Sequence, residues 1–163
     1  MKLTKISLKG FRSYNTLTEI RIEENLTSIV GRNDIGKSTI LEALEIFFNN
    51  STVKIDRYDL CIHASDSLIE ISCSFSDYPN EIVLDSSSTT TLKDEYLLNA
   101  DEEFEIVKVY DCSKSTIKPI VFCRANHPDP SKIANLHSLK NSDLKKLQNE
   151  LGISDDVVDK RSN

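Results

Sequence analysis

Glycine is scarce in this chain, with only four among 163 residues, whereas an average protein has about 7%. Long apolar runs are also missing, since none approaches the roughly 18 residues that a membrane-spanning helix needs. The N-terminus alternates charged and apolar residues, so it lacks the continuous apolar segment of a signal peptide and predicts a strand instead. These absences predict a cytoplasmic protein that does not associate with a membrane.

A metal-ligand pattern and a strong positive charge are missing as well. The four cysteines contain no C-x-x-C pair, and with three scattered histidines they form no metal-ligand spacing. We expect free, mostly buried thiols at Cys61, Cys73, Cys112 and Cys123. With 26 acidic against 20 basic side chains, the net charge of −6 argues against a strongly basic, free-standing nucleic-acid binder, although a local basic face remains open.

Two of the four glycines belong to one short motif. It matches the pattern G-x-x-x-x-G-K-[ST] without a gap, through Gly31, Arg32, Asn33, Asp34, Ile35, Gly36, Lys37 and Ser38. The apolar and β-branched residues 26–30 predict a buried strand before the motif. Residues 38–48 contain no glycine or proline and predict a helix packed on a sheet, with Glu42 and Glu45 as its exposed positions. Strand, glycine loop and helix form the context that a phosphate-binding loop requires.

The chemistry of phosphate binding explains the residue types in this loop. Glycines let the main chain turn tightly, so that several N–H groups converge on phosphate oxygens, and the following helix directs its positive end at the anion. Lys37 would reach the β- and γ-phosphates, the Ser38 hydroxyl would ligate Mg²⁺, and Thr39 could contact the α-phosphate. The alternative is an ordinary glycine turn with an exposed lysine.

The wider sequence resembles a known group of ATPases. The pattern I-x-L-x-x-F-R-S-Y, followed by V-G-x-N-x-x-G-K-S-T-I-L-E-A-L, is similar to the start of the ABC-type ATPases of the SMC and RecF group. The loop N-D-I-G-K-S resembles that of the OLD-family nucleases (overcoming lysogenisation defect), which join such an ATPase to a C-terminal Toprim nuclease. Relatives of these nucleases occur in several bacterial anti-phage systems. The specific part of the resemblance covers residues 3 to about 49.

The resemblance implies a fold and a set of site residues. It implies an α/β P-loop NTPase fold of the ABC-ATPase type, with a mixed sheet around the P-loop helix plus an antiparallel β-subdomain. We expect a P-loop core at 1–50, a β-rich subdomain at 51–125 and the start of a helical region at 126–163. ATP and Mg²⁺ would be held by residues 31–39, among which Asn33, Gly36, Lys37, Ser38 and Thr39 match the family motif. Arg12 would approach the phosphates, the alternative being a solvated turn arginine.

The rest of the chain carries weaker signals. Alternation predicts a half-buried strand at 68–75, and further strands are expected at 2–9, 18–23, 81–85, 104–110 and 117–124. The hydroxyl-rich residues 86–91 predict a mobile hairpin tip or a loop, residues 126–130 predict a loop, and residues 93–99 predict one or two helical turns. A helix capped by Asn141 or Ser142 is expected to end at Gly152.

Several parts of a complete ATPase are missing from the sequence. Hydrolysis needs an apolar strand ending in Asp-Glu, but the strands ending at Asp85 and Asp111 supply no such glutamate. No glycine lies between Gly36 and Gly152, so a Ser-Gly-Gly signature is absent, and Gln148, the one glutamine, lies in a predicted helix. Asp59 and Asp77 are better explained as loop residues than as neighbours of Mg²⁺. We therefore expect no catalytic residue within this chain, weak nucleotide binding at best and no turnover.

Residues 154–158 predict the start of another helix, after which the sequence stops. This predicts the N-terminal lobe of a longer protein, which would process DNA and form a homodimer or a higher homo-oligomer with nucleotide between two copies. The resemblance favours an OLD-type endonuclease, with DNA bound through the full-length protein and an anti-phage role by analogy. Two alternatives are the head of an SMC- or RecF-like protein that clamps or loads DNA, and a small interaction module that kept its P-loop.

Overall fold

The computed structural model describes residues 1–32, 36–49, 53–85, 88–126 and 141–150. The chain divides into two compact units, Met1–Asn126 and His127–Asn163. In the described part of the second unit, Asn141–Glu150 forms a helix, in agreement with the helix expected to begin there. Its expected end at Gly152 lies outside the described residues, as do the loop expected at 127–130 and the helix expected at 154–158. The division into three regions at 50 and 125 stays a prediction.

The first unit contains seven strands and one helix among its described residues. The strands are β1 (Lys2–Lys9), β2 (Thr18–Arg21), β3 (Leu68–Ser76), β4 (Ile82–Asp85), β5 (Ser88–Thr90), β6 (Phe104–Asp111) and β7 (Pro119–Arg124). Helix α1 spans Lys37–Phe47, a short 3-10 turn spans Arg57–Asp59, and Asn141–Glu150 of the second unit is α2. Five strands form one sheet in the order β2-β1-β3-β6-β7, while β4 and β5 pair with each other. Every pairing between described strands is antiparallel, which for β6 and β7 agrees with the expectation from their short connection.

Helix α1 packs on one face of the five-stranded sheet. Register places Ile6 of β1 opposite Cys73 of β3, and Leu8 opposite Ile71, so that alternate residues of adjacent strands share this face. The core formed there includes Ala43, Ile46 and Phe47 from the helix and Ile6, Leu8, Ile69, Ile71 and Cys73 from the sheet. Removing this apolar surface from water holds the helix and its preceding loop against β1 and β3.

The prediction that β3 is half-buried was wrong. Its apolar residues face the core as expected, but Ser72 and Ser74 on the opposite face are each only 1% exposed. These serines are buried because β3 is the central strand of five and has neighbouring strands, β1 and β6, on both sides. Neither serine hydroxyl has a hydrogen-bond partner among the described residues. Alternation along one strand cannot predict whether a second layer covers its polar face.

The buried strand expected at residues 26–30 is not formed. These residues adopt no regular secondary structure, and Leu26 and Val30 are 77% and 89% exposed. Only Ile29 of the apolar residues in this segment packs against the core. A strand requires a neighbour to share its backbone hydrogen bonds, and none of the described strands pairs with this segment. Residues 26–30 therefore lead into the glycine loop as a segment without regular secondary structure.

Three smaller observations concern local structure. Residues 88–90 of the run expected to be a hairpin tip or loop form β5, which pairs antiparallel with β4, and Ser86 and Ser87 lie outside the described residues. Where one or two helical turns were expected, residues 92–96 make hydrogen-bonded turns, with the Glu95 N–H donating to the Thr91 carbonyl oxygen. On α1, Leu41 is exposed whereas Glu42 and Glu45 are half-buried, which reverses the expected pattern. For Glu42 the cause is an ion pair with Arg12, described below.

Candidate functional site

Helix α1 begins directly after Gly36, which adopts a left-handed conformation with φ of 91°. Within the described residues no side chain caps the start of this helix. The first N–H groups of a helix have no partner inside the helix, and together with the helix dipole they favour an anion at this end. The geometry at Gly36 is therefore suited to a bound phosphate.

Gly36 is also held by the turn that follows β1. A Cβ atom at this position would lie 2.5 Å from Ser13 Oγ and 3.2 Å from Tyr14 Cε2. The Tyr14 hydroxyl donates a hydrogen bond of 3.2 Å to the carbonyl oxygen of Gly36. Since this glycine combines a positive φ with close neighbours, the position requires the absence of a side chain. The F-R-S-Y turn thus supports the end of the glycine loop.

Lys37 points back across the loop that precedes it. Its ammonium group donates hydrogen bonds to the carbonyl oxygen of Gly31, at 2.9 Å, and to that of Arg32. The first residue of the helix therefore closes the loop on itself and places a positive charge between its two ends. Of the other predicted ligands, Ser38 is exposed at the helix start and Thr39 is buried. Asn33, Asp34 and Ile35 lie outside the described residues.

Arg12 lies in the same turn and is held by two carboxylates. Its Nε donates to Asp59 Oδ1 at 2.8 Å, its Nη1 pairs with Glu42, and its backbone N–H donates to the Asp59 carbonyl oxygen at 2.7 Å. Burial by itself lowers the pKa of Arg12, but the hydrogen bonds to Asp59 and Glu42 outweigh burial and raise it. The structure therefore places Arg12 beside α1 as a paired side chain, which differs from a solvated turn arginine.

Asp59 and Glu42 are the functional neighbours that sequence reasoning missed. Asp59 was expected to be an ordinary loop residue, yet its second oxygen accepts the backbone N–H of Asp56 at 2.7 Å. The Asp56 side chain in turn accepts the N–H of Tyr58, which completes a capping box around the 3-10 turn. The spacing D-x-x-D was the available sequence signal for this turn. No local signal identified Arg12 as the partner.

The other acidic candidates have partners away from the loop. Asp77 pairs with Lys2 at 3.0 Å. Asp111, at the end of β6, accepts hydrogen bonds from Ser113, and these hydrogen bonds lower its pKa. The described residues contain no cluster of three or more His, Cys, Asp or Glu side chains with metal-binding geometry. Cys61, Cys73 and Cys112 are buried free thiols and Cys123 is a half-buried one, as predicted.

A glycine loop whose ends are joined by a lysine, followed by a helix on an antiparallel sheet, is the arrangement of a P-loop ATPase fold of the ABC type. The chain belongs to the AAA ATPase domain family, whose model matches residues 1–163. Its fold is similar to that of an SMC ATPase. Among the described residues, no helix is both long and apolar enough to cross a membrane.

Similar proteins include chromosome partition proteins named Smc. The chain is 50% identical to that of Rhodopseudomonas palustris over 44 residues, which are 27% of this chain and 4% of the relative. It is 31% identical to that of Xanthomonas oryzae pv. oryzae over 90 residues, which are 55% of this chain and 8% of the relative. The chain thus spans only a small fraction of the length of the curated relatives that it matches.

Solved structures show the same likeness at the level of the fold. One chain, from work described as the structural biochemistry of ATP-driven dimerization and DNA-stimulated activation of SMC ATPases, has a TM-score of 0.50 and 16% identity. The match covers 93% of this chain and 99% of that one. The SMC head domain from Thermotoga maritima has a TM-score of 0.47 and 19% identity, over 78% of this chain and 39% of that one.

Proposed function

We propose that this chain is the ATP-binding lobe of an ATP-dependent DNA-processing protein. The observation that carries the proposal is the closed glycine loop, in which Lys37 bonds to Gly31 and Arg32 while Gly36 opens an uncapped helix. The residues present fit a nucleoside triphosphate. The Lys37 ammonium group supplies a positive charge at the loop, Gly31 and Arg32 are exposed, and the helix start has no competing side chain.

The proposed ligands of ATP and Mg²⁺ follow the family motif. They are Arg12, Gly31, Arg32, Asn33, Asp34, Ile35, Gly36, Lys37, Ser38 and Thr39, with Ser38 for the metal ion. Mg²⁺ would neutralise part of the triphosphate charge when it is bound. Lys37 would exchange its two carbonyl partners for phosphate oxygens, and the exposed Ser38 hydroxyl would face the ion. Gly36 would keep the helix start open, while Tyr14 fixes the orientation of its carbonyl group.

The proposed parent protein acts as a homodimer or a higher homo-oligomer with nucleotide between two copies. It would bind DNA through the full-length protein. ATP-driven dimerization and DNA-stimulated activation are properties named for the SMC ATPase that shares this fold, and they support this part by analogy. A cytoplasmic location is proposed on the same grounds. A catalytic Asp-Glu pair and a signature segment would come from outside this chain or from the second copy.

Two candidate activities remain for the parent protein. The N-D-I-G-K-S loop favours an OLD-family endonuclease with an anti-phage role. The Smc relatives and the SMC-like fold favour, at least as well, a head that binds or repairs DNA without cutting it. The gene sequence beyond codon 163 distinguishes them. A Toprim-like acidic cluster after a compact helical insert would support the nuclease, whereas a long heptad region would contradict it and support the SMC-like head.

Nucleotide binding by the chain itself is the direct test of the proposal. We expect saturable binding of a fluorescent ATP analogue with Mg²⁺, weakened about tenfold or more in Lys37→Ala because a charge-assisted contact to phosphate is lost. Lys114→Ala is the matched control, since Lys114 is exposed and pairs with Asp111. Equal binding by Lys37→Ala would contradict the proposal. Hydrolysis by the wild-type chain that Lys37→Ala abolishes would contradict the expectation that no turnover occurs.

A further inference from the structure

The two carboxylates that hold Arg12 differ in their access to solvent. The side chain of Asp59 is 12% exposed, whereas that of Glu42 is 34% exposed. Asp59 also accepts a backbone N–H and caps its own turn, so its position is fixed by several hydrogen bonds. Glu42 has no comparable support among the described residues, apart from its place on α1. The Asp59 contact is thus the more buried and better supported of the two, and the Glu42 contact is the more exposed one.

Backbone contacts hold the turn that carries Arg12 in place. Arg12 has a positive φ of 50°, and its N–H donates to Asp59. The neighbouring Phe11 forms a β-bridge with Leu60. Ser13 and Tyr14 lie against Gly36, as described above. The backbone therefore cannot move without breaking contacts to both the 3-10 turn and the loop, whereas the Glu42 side chain that contacts Nη1 is partly exposed.

Glu42 lies close to the proposed metal-binding serine. It follows Ser38 by four residues, and residues with this spacing occupy the same side of a helix one turn apart. The Nη1 end of Arg12 that pairs with Glu42 is therefore about one helical turn from the start of α1. A triphosphate bound at Gly36 and Lys37 would present its oxygens on this side of the helix, within reach of a long arginine side chain.

We propose that Glu42 and the triphosphate compete for Arg12, while Asp59 keeps the guanidinium group in position throughout. This inference rests on the proposed nucleotide site. Glu42 then lowers the affinity for nucleotide, because it pairs with Arg12 in the nucleotide-free protein. Asp59 is a positioning residue that raises the affinity for nucleotide. The exchange is favourable because a partly exposed ion pair is weak, whereas guanidinium binds phosphate through two parallel charge-assisted hydrogen bonds.

The competition predicts opposite signs for two similar substitutions. Glu42→Gln is expected to tighten binding of the Mg²⁺–ATP analogue about threefold, which corresponds to the loss of one partly exposed ion pair. Asp59→Asn is expected to weaken binding by a similar factor, because the guanidinium group loses its alignment. When Arg12 is replaced by Gln, Glu42→Gln is expected to change nucleotide affinity no more than the control substitution Glu45→Gln does.

Glu45→Gln is the matched control. It removes the same charge from the same helix, from another half-buried glutamate, so it measures the general effect of a lost negative charge on an anionic ligand. If Glu42→Gln and Glu45→Gln tighten binding equally, or if the effect of Glu42→Gln persists without Arg12, the competition is overturned and the nucleotide site stands. If the wild-type chain shows no saturable binding, the proposed function fails, and the inference fails with it.

A spectroscopic measurement covers the case in which Asp59→Asn does not fold. We expect the Arg12 Nε–Hε resonance of the wild-type chain to stay protected from solvent exchange when the nucleotide analogue is added, since its Asp59 partner is retained. The Nη resonances are expected to shift at the same time. Loss of Nε–Hε protection on binding would overturn the role of Asp59, and unchanged Nη resonances would overturn the exchange.

Discussion

The ammonium group of Lys108 donates a 2.6 Å hydrogen bond to the carbonyl oxygen of Phe47, the last residue of helix α1. It also donates to Asn49 Oδ1 at 2.8 Å and lies over the Phe47 ring. Lysine is rarely buried in the middle of a strand, and burial lowers the pKa of Lys108. Its partners explain its presence, because the positive charge meets the negative end of the helix dipole and a carbonyl group that has no partner within the helix.

Replacing this lysine tests its role at the helix end. Lys108→Met keeps the apolar stem but leaves two acceptors without their donor, so we expect the free energy of unfolding to fall by about 1–3 kcal/mol. Urea denaturation measures the change. Lys93→Met is the control, because Lys93 forms only an exposed pair with Glu102, and its effect is expected to stay within about 0.5 kcal/mol. Equal effects of the two substitutions would show that Lys108 does not stabilise the helix end.

Two glycines with positive φ differ in what surrounds them. A Cβ atom at Gly10 would lie 2.3 Å from the backbone oxygen of Leu68, whereas at Gly36 it would meet the side chains of Ser13 and Tyr14. Gly36→Ala is expected to cost about 1–2 kcal/mol from the left-handed backbone alone, and Gly10→Ala more, because a strand backbone would have to move. Thermal denaturation measures which of the two variants is less stable. The double variant Gly36→Ala, Ser13→Ala should recover part of the stability that Gly36→Ala loses. A larger loss for Gly36→Ala than for Gly10→Ala would contradict this account.

Alkaline pH is expected to destabilise the fold through buried groups. Burial raises the pKa of Cys73 from 9.0 to about 12 and that of Tyr110 from 10.0 to about 12. Above pH 9 the unfolded chain releases these protons while the folded chain keeps them, so stability is fully present below pH 9 and falls as pH rises towards 12. One such group lowers the free energy of unfolding by up to about 1.4 kcal/mol for each pH unit.

Urea denaturation at a series of pH values above 9 measures this slope. Cys73→Ala lowers stability at neutral pH by leaving a small cavity, but it also removes one of the groups whose pKa burial raises to about 12. The variant is therefore expected to lose less stability with rising pH than the wild type does. Parallel curves for the two proteins would show that Cys73 does not contribute to alkaline unfolding.

Arg124 compensates a buried carboxylate on the face of the sheet opposite α1. It pairs with Glu105 at 2.8 Å and with Glu70, while the Asn99 amide donates to the other oxygen of Glu105. Arg124→Met would leave Glu105 buried with the Asn99 amide as a hydrogen-bond donor and with the charge of Lys5 nearby. We expect a loss of about 1–3 kcal/mol, reduced because Arg124 itself is partly exposed.

The control for Arg124→Met is Lys114→Met, which removes an exposed cation with a surface partner. A second variant, Arg124→Met with Glu105→Gln, is expected to recover stability because no unpaired charge remains in the interior. Urea denaturation compares the three variants. A double variant less stable than Arg124→Met alone would contradict the compensation of charge.

Much of the fold followed from local patterns in the sequence. Alternating residues located β1 and β3, and the density of short connections predicted antiparallel pairing, because such patterns depend on the period of a strand and on nearby turns. The motif from Gly31 to Ser38 located the loop and the start of α1 to within one residue. These features depend on residues that are close together in the chain.

Contacts between residues far apart in the chain could not be predicted from these local patterns. The fold buries Ser72 and Ser74 by placing β3 at the centre of the sheet, and it leaves Val30 exposed because no described strand pairs with its segment. It also joins Arg12 to Glu42 and Asp59, residues that are 30 and 47 positions away in the chain. The order of residues in the chain is enough to locate the glycine motif, the strand periods and the family, whereas burial and ion pairing depend on which surfaces pack together.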